Sequence, residues 1–93
     1  MDRFEIILST KASKDLDKLN DVLCSRIIKS IKVLGENPFP RGKLIRKIRA
    51  THSDYYRLRV DKYRIFYMIE SNNVIILRIL SKKDAERIIR GLY

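Results

Sequence analysis

The first residues of the chain change from the pattern of a strand to the pattern of a helix. Residues 4–8 are short, apolar and β-prone, which predicts a strand. Ser9 and Thr10 can cap a helix that follows this strand. Apolar side chains recur at helical spacing in residues 11–19, so we expect a first short helix there.

The next segment predicts a longer amphipathic helix. Apolar residues of segment 21–34 recur at intervals of three or four, at Leu23, Ile27, Ile31 and Leu34. Gly35 is suited to end this helix, and Pro38 and Pro40 prevent it from restarting. Only a short break at Asn20 separates the two helices, so we expect an antiparallel helical hairpin.

After the prolines the apolar residues recur at every second position, which indicates strands. We predict four of them, at residues 44–49, 55–60, 63–70 and 74–80, with a two-residue link at 61–62 and a turn at 71–73. A final short helix follows Ser81 and has the apolar residues Ala85, Ile88, Ile89 and Leu92. We therefore predict an α+β fold. In it an N-terminal strand precedes a helical hairpin, and the helices pack on one face of an antiparallel sheet.

Composition limits the chain to a small folded protein. Its 93 residues suffice for one domain, which we expect to span residues 1–93. The apolar fraction is 45%, and no apolar run approaches the roughly 20 residues of a membrane span. No secretion signal is apparent at the N-terminus, and the lone Cys24 fits a reducing compartment. We expect a cytoplasmic protein without a membrane partner.

The charge is large and unevenly distributed. Lysine and arginine number 21 against 11 acidic residues, which gives a net charge of +10. Segment 38–67 holds nine basic residues against Asp54 and Asp61, whereas the preceding residues are nearly balanced. Such an excess suggests a polyanionic partner, which could be a nucleic acid, an acidic protein or a membrane surface. The alternative is a generally basic protein without such a partner.

Strand alternation places several arginines together. Arg57 and Arg59 are two positions apart and point to the same face of their strand. The tight link at 61–62 brings Arg64 next to them, and Arg78 follows on the next strand. Guanidinium groups that converge on one face suit a phosphodiester, although a solvated arginine face is the alternative. We predict that Arg46, Lys47, Arg49 and Arg78 add RNA contacts to this face.

The tyrosines and the histidine are weaker candidates for a functional site. Tyr56, Tyr63 and Tyr67 are expected in the core, whereas Tyr55 and Tyr93 are more open candidates for base stacking. His52 is the single histidine and no carboxylate–histidine cluster has metal-ligand spacing, so no metal site is expected. The three glycines are isolated and form no phosphate loop, and no cofactor is expected.

The run YRLRVDKYRIFY at residues 56–67 resembles the RelE/ParE toxin superfamily, and residues 74–84 look like the last strand and basic tail of that family. The resemblance covers essentially the whole chain. It implies a fold similar to small microbial ribonucleases. It also implies a function like that of RelE toxins, which cleave mRNA in the ribosomal decoding site without a metal. In that reaction the 2′-hydroxyl attacks the adjacent phosphate.

The resemblance also implies roles for particular residues. Arg57 and Arg59 stand at the basic pair of the family, where the best-known members carry lysines. Arg64 is expected to hold the scissile phosphate, and Lys82 and Lys83 match the basic tail. Glu86 stands about where the family often has a tyrosine, so no residue is obviously suited to remove the 2′-hydroxyl proton. The candidate catalytic residues are therefore Arg57, Arg59, Arg64, Lys82, Lys83 and Tyr93.

Two other functions stay open on the sequence. The chain could be a ParE-like inhibitor of DNA gyrase, or an RNA-binding module without catalysis. A toxin also implies a cognate acidic antitoxin, with which it would form a hetero-oligomer, besides the ribosome and mRNA as partners.

Overall fold

The computed structural model describes residues 3–49 and 54–92 of the chain. The element order predicted from the sequence is confirmed. The elements are β1 (Glu5–Leu8), α1 (Thr10–Asp17), α2 (Asp21–Leu34), β2 (Ile45–Arg49), β3 (Asp54–Val60), β4 (Tyr63–Glu70), β5 (Asn73–Ser81) and α3 (Lys82–Leu92).

Polar side chains begin the helices as the sequence suggests. The Ser9 hydroxyl accepts a hydrogen bond from the Ala12 N–H, and the Asn20 amide oxygen accepts one from the Leu23 N–H. The Ser81 hydroxyl accepts a hydrogen bond from the Asp84 N–H at the start of α3. Each cap satisfies an N–H group that has no partner within its own helix.

The strands form one mixed sheet in the order β1-β5-β4-β3-β2. The strands β2 to β5 pair antiparallel, as predicted. By contrast, β1 joins β5 in parallel, so the sheet is not wholly antiparallel. The helical hairpin permits this pairing, because it provides the crossover that a parallel neighbour requires.

Apolar residues on the two faces of the sheet form separate clusters. One face packs against α1 and α2 through residues such as Leu16, Ile27 and Ile65. The other face packs against α3 through Phe66 and Leu80, together with Ile48, Ala85 and Ile88. The expectation that all helices share one face was therefore wrong for α3. The physical reason is strand alternation, since Phe66 and Leu80 point away from their neighbours Ile65 and Ile79.

The predicted core tyrosines lie in the first of these clusters. Tyr67 is fully buried and its hydroxyl donates a hydrogen bond to the Pro38 carbonyl at 2.6 Å. Its ring stacks on Tyr56, with 5.5 Å between the ring centroids, and Tyr63 packs against the same cluster. The loop after α2 is thereby fixed to the sheet.

Candidate nucleic-acid interface

Four arginines project from the face of the sheet that α3 covers in part. Arg46 on β2 lies opposite Arg57 on β3, and Arg59 on β3 lies opposite Arg64 on β4. Paired residues of an antiparallel sheet project to the same face, and so do residues two positions apart. We call Arg46, Arg57, Arg59 and Arg64 the arginine cluster. The structure brings together the three arginines of the predicted catalytic set and one of the predicted RNA contacts.

Arg64 is the most buried member of the arginine cluster, with 7% of its surface exposed. One nitrogen of its guanidinium group, Nη1, donates hydrogen bonds to the carbonyls of Asp61, at 3.0 Å, and Tyr63, at 2.8 Å. Burial and the charge of Arg59 lower the pKa of Arg64, and the nearby Glu86 carboxylate acts in the opposite direction. The turn between β3 and β4 therefore fixes this guanidinium group in one place.

Arg57 has an unsatisfied polar atom. Its Nε is buried and finds no hydrogen-bond partner among the residues that the structure describes. Burial, followed by the charges of Arg64, Arg46 and Arg59, lowers the pKa of Arg57. A buried donor without a partner and three like charges nearby are both unfavourable, and both costs fall when an anion binds.

The first turn of α3 adds further basic residues at one end of the arginine cluster. The Lys82 N–H donates a hydrogen bond to the Lys62 carbonyl at 2.8 Å, which holds the start of α3 beside the turn between β3 and β4. An open groove there is lined by Lys62, Ser81, Lys82, Lys83 and Glu86. Both predicted lysines are exposed in this groove.

Arg78 forms an ion pair with α1, and its predicted contact with RNA stays a prediction. Its guanidinium group donates two hydrogen bonds to the Asp15 carboxylate of α1, at 2.9 and 3.2 Å. The same carboxylate accepts the Ile79 N–H, so it satisfies a backbone donor of β5 as well. Arg78 therefore fastens α1 to β5 in this structure.

Lys47 is also separated from the arginine cluster. It lies opposite Tyr56, whose side chain belongs to the other face of the sheet. Its ammonium group forms an ion pair with Asp54 at 3.1 Å. The side chains of Arg49 and Tyr93, and all of His52, lie outside the described part of the chain.

The arrangement suits the binding of a phosphodiester by charge and hydrogen bonds. No group of three or more potential ligand residues that could hold a metal occurs within residues 3–49 and 54–92. In the same ranges, no helix is both long and apolar enough to cross a membrane. Sequence reasoning missed the role of Asp15, because its partners Arg78 and Ile79 lie more than sixty positions away.

Comparison with known proteins identifies the family. The sequence model of the ParE toxins of type II toxin–antitoxin systems matches residues 6–86. The archaeal RelE–RelB complex from Pyrococcus horikoshii OT3 has a TM-score of 0.73 at 24% identity, over 86% of this chain and 96% of that chain. The RelB–RelE antitoxin–toxin complex from Methanococcus jannaschii has a TM-score of 0.68 at 28% identity, over 88% of this chain and 96% of that chain.

A third structure, the YoeB dimer from Staphylococcus aureus, has a TM-score of 0.68 at 23% identity, over 84% of this chain and 95% of that chain. These likenesses confirm the fold class predicted from the sequence. The family model covers most of the chain, including β3, β4 and the start of α3. The chain therefore belongs to the ParE toxin family of type II toxin–antitoxin systems, within the RelE/ParE superfamily that its sequence resembles.

Proposed function

We propose that this toxin is a ribosome-dependent endoribonuclease that cleaves mRNA in the decoding site and so inhibits translation. The observation that carries the proposal is the arginine cluster, in which Arg57 has a buried unpartnered Nε and Arg64 is held in place by two backbone carbonyls. Several guanidinium groups that lie against one another are unfavourable without a bound anion. RNA phosphates provide that anion.

In the proposed reaction the 2′-hydroxyl of the RNA attacks the adjacent phosphorus atom. The attacking group belongs to the substrate, so the reaction needs no activated water and no metal to supply one. Arg64 holds the scissile phosphate and stabilises the charge that develops on its oxygens. Arg57 and Arg59 contribute further positive charge, and Lys82 and Lys83 bind the phosphates on either side. The ribosome orients the mRNA for attack.

The proposed partners follow from the same surface. Two of the similar solved structures are complexes of a toxin with its antitoxin. We propose that this chain, as a single toxin domain in the cytoplasm, forms a hetero-oligomer with an acidic antitoxin that covers the arginine cluster. The double substitution Arg57→Ala plus Arg64→Ala should weaken that complex. If the affinity does not change, charge is not what holds the antitoxin here.

The experiment is cell-free translation with mapping of mRNA ends. We expect cuts within the codon in the decoding site when the toxin is added. The variant Arg64→Ala should leave the mRNA intact, whereas Lys29→Ala, which removes an exposed charge from α2, should cleave as the wild type does. Uncut mRNA with the wild-type toxin would contradict the proposal.

A second candidate function is inhibition of DNA gyrase. It is favoured by the description of the matching family model, which is that of ParE toxins. Intact mRNA together with cleaved or supercoiling-defective DNA would support this function. Intact mRNA and intact DNA, with only salt-sensitive binding, would instead indicate an RNA-binding module without catalysis.

A further inference from the structure

The proposed cleavage needs a group that accepts the proton of the 2′-hydroxyl. The arginine cluster cannot provide it, because a guanidinium group stays protonated and has no acceptor atom. Lys62, Lys82 and Lys83 carry ammonium groups, which are donors as well. A carboxylate beside the cluster is the kind of side chain that fits the task.

Several carboxylates of the described residues lie near this end of the sheet, and all but one of them face other partners. Asp61 forms an ion pair with Arg26 on α2. Asp15 accepts hydrogen bonds from Arg78, and Asp84 lines the same groove as Asp15 and Arg78. The remaining one is Glu86, and its charge acts on Arg64 of the arginine cluster.

Glu86 is also placed where a substrate can reach it. It lies one helical turn after Lys82 and three positions after Lys83, so all three side chains line the same open groove. The hydrogen bond from the Lys82 N–H to the Lys62 carbonyl fixes this turn of α3 beside the turn that positions Arg64. Glu86 is exposed, so its carboxylate is not committed to the core.

We infer that Glu86 is the general base of the proposed RNA cleavage, taking the proton of the 2′-hydroxyl as it attacks the phosphate held by Arg64. The inference rests on the proposed function. The bond between the 2′-oxygen and phosphorus forms, and the bond between phosphorus and the 5′-oxygen breaks. The proton of the 2′-hydroxyl goes to the Glu86 carboxylate, and the leaving 5′-oxygen takes a proton from water. The products are a 2′,3′-cyclic phosphate and a 5′-hydroxyl end.

A purely electrostatic role for Glu86 predicts a different effect of Glu86→Gln from that of a general base. If this carboxylate only balances the charge of Arg64, then Glu86→Gln makes the surface more positive. RNA should then bind more tightly, and cleavage should be unchanged or faster. A general base is needed for the reaction step, so its loss lowers the rate even when the RNA is fully bound.

The test measures single-turnover cleavage of mRNA on programmed ribosomes, at a range of toxin concentrations. We expect Glu86→Gln to lower the rate at saturation by about 10²–10⁴-fold without raising the half-saturating toxin concentration. Glu86→Asp keeps the carboxylate, so it should cleave faster than Glu86→Gln. Glu36→Gln removes the same charge from the exposed segment after α2 and should cleave at the wild-type rate.

The outcomes separate this inference from the function on which it rests. A Glu86→Gln variant that cleaves within threefold of the wild-type rate would overturn the role of Glu86 and leave the endoribonuclease proposal standing. A wild-type toxin that cuts no mRNA would overturn both. Thermal unfolding of each variant checks that the exposed substitution leaves the fold intact.

Discussion

Arg59 on β3 lies directly opposite Arg64 on β4, so two side chains of like charge form one cross-strand pair. Like charges in this position destabilise a sheet. The turn that joins the two strands nevertheless holds Arg64 in place through the carbonyls of Asp61 and Tyr63. The fold thus keeps a repulsive pair in a fixed geometry, which is the arrangement expected of a site prepared for an anion.

The first prediction concerns Arg64 itself. Arg64→Ala should lower the rate of mRNA cleavage by about 10²–10³-fold, because one fixed charged donor to the reacting phosphate is lost. Growth after induction of the toxin and single-turnover cleavage in vitro measure the effect. Arg64→Lys keeps the charge without the fork of donors, so it should recover only part of the rate. Full toxicity of the alanine variant would exclude contact between Arg64 and the scissile phosphate.

The second prediction is that Arg57 lowers the stability of the free toxin. Arg57→Leu removes a buried donor without a described partner and a charge next to three other arginines. We expect the free energy of unfolding to rise by about 1 kcal/mol, which corresponds to about 4–8 °C in the melting temperature of a domain of this size. The same variant should bind RNA more weakly.

Calorimetry and RNA binding at one salt concentration test whether Arg57→Leu raises stability and weakens RNA binding. Lys29→Leu serves as the control, since it removes an exposed charge from α2 and should move neither quantity appreciably. A variant of Arg57 that is less stable than the wild type would mean that this side chain contributes more to packing than it costs in repulsion.

Local patterns predicted most of the fold because most elements depend on neighbouring residues. The bounds of α2 and β4 were predicted to the residue, since both have a regular apolar period and clear end signals. The turn at Asp61 and the shared face of Arg57 and Arg59 followed from strand alternation in the same way.

Relationships between distant residues were not predictable by those means. Period alone does not reveal which face of the sheet α3 covers, nor that β1 pairs in parallel with β5. The ion pair between Asp15 and Arg78 joins two segments with no shared pattern, so the sequence did not predict it. The RNA contact expected of Arg78 stays a prediction.

The third prediction separates Arg78 from the arginine cluster. Arg46→Gln should weaken RNA binding and reduce the slope of log K against log salt by about 0.7, as expected for one lost phosphate contact to a single strand. Arg78→Gln should leave this slope unchanged, because the guanidinium group is bound to Asp15. The two substitutions remove the same charge, so a loss of slope in both would show that Arg78 does contact RNA.

The fourth prediction is that Asp15 makes the stability of the toxin depend on pH. Burial alone would raise the pKa of Asp15, but hydrogen bonds from Arg78 and the Ile79 N–H, with the charges of Arg78 and Lys18, outweigh burial and lower it. A carboxyl with a lowered pKa in the folded chain stabilises the fold above its unfolded pKa, which is about 3.9 for aspartate. This stabilisation is lost as the pH falls through the lower, folded value.

Asp15→Asn removes the charge but keeps an oxygen that can accept the Ile79 N–H. We expect it to lower the free energy of unfolding by about 1–3 kcal/mol at neutral pH, because Arg78 loses its charged partner. The difference between the variant and the wild type should shrink as the pH falls below about 4, where the wild-type carboxyl also becomes neutral.

Urea unfolding between neutral and acid pH measures the stability of both proteins, and Asp17→Asn, an exposed position on the same helix, is the control. Parallel curves for Asp15→Asn and the wild type would show that the carboxylate does not hold α1 against β5 through its charge.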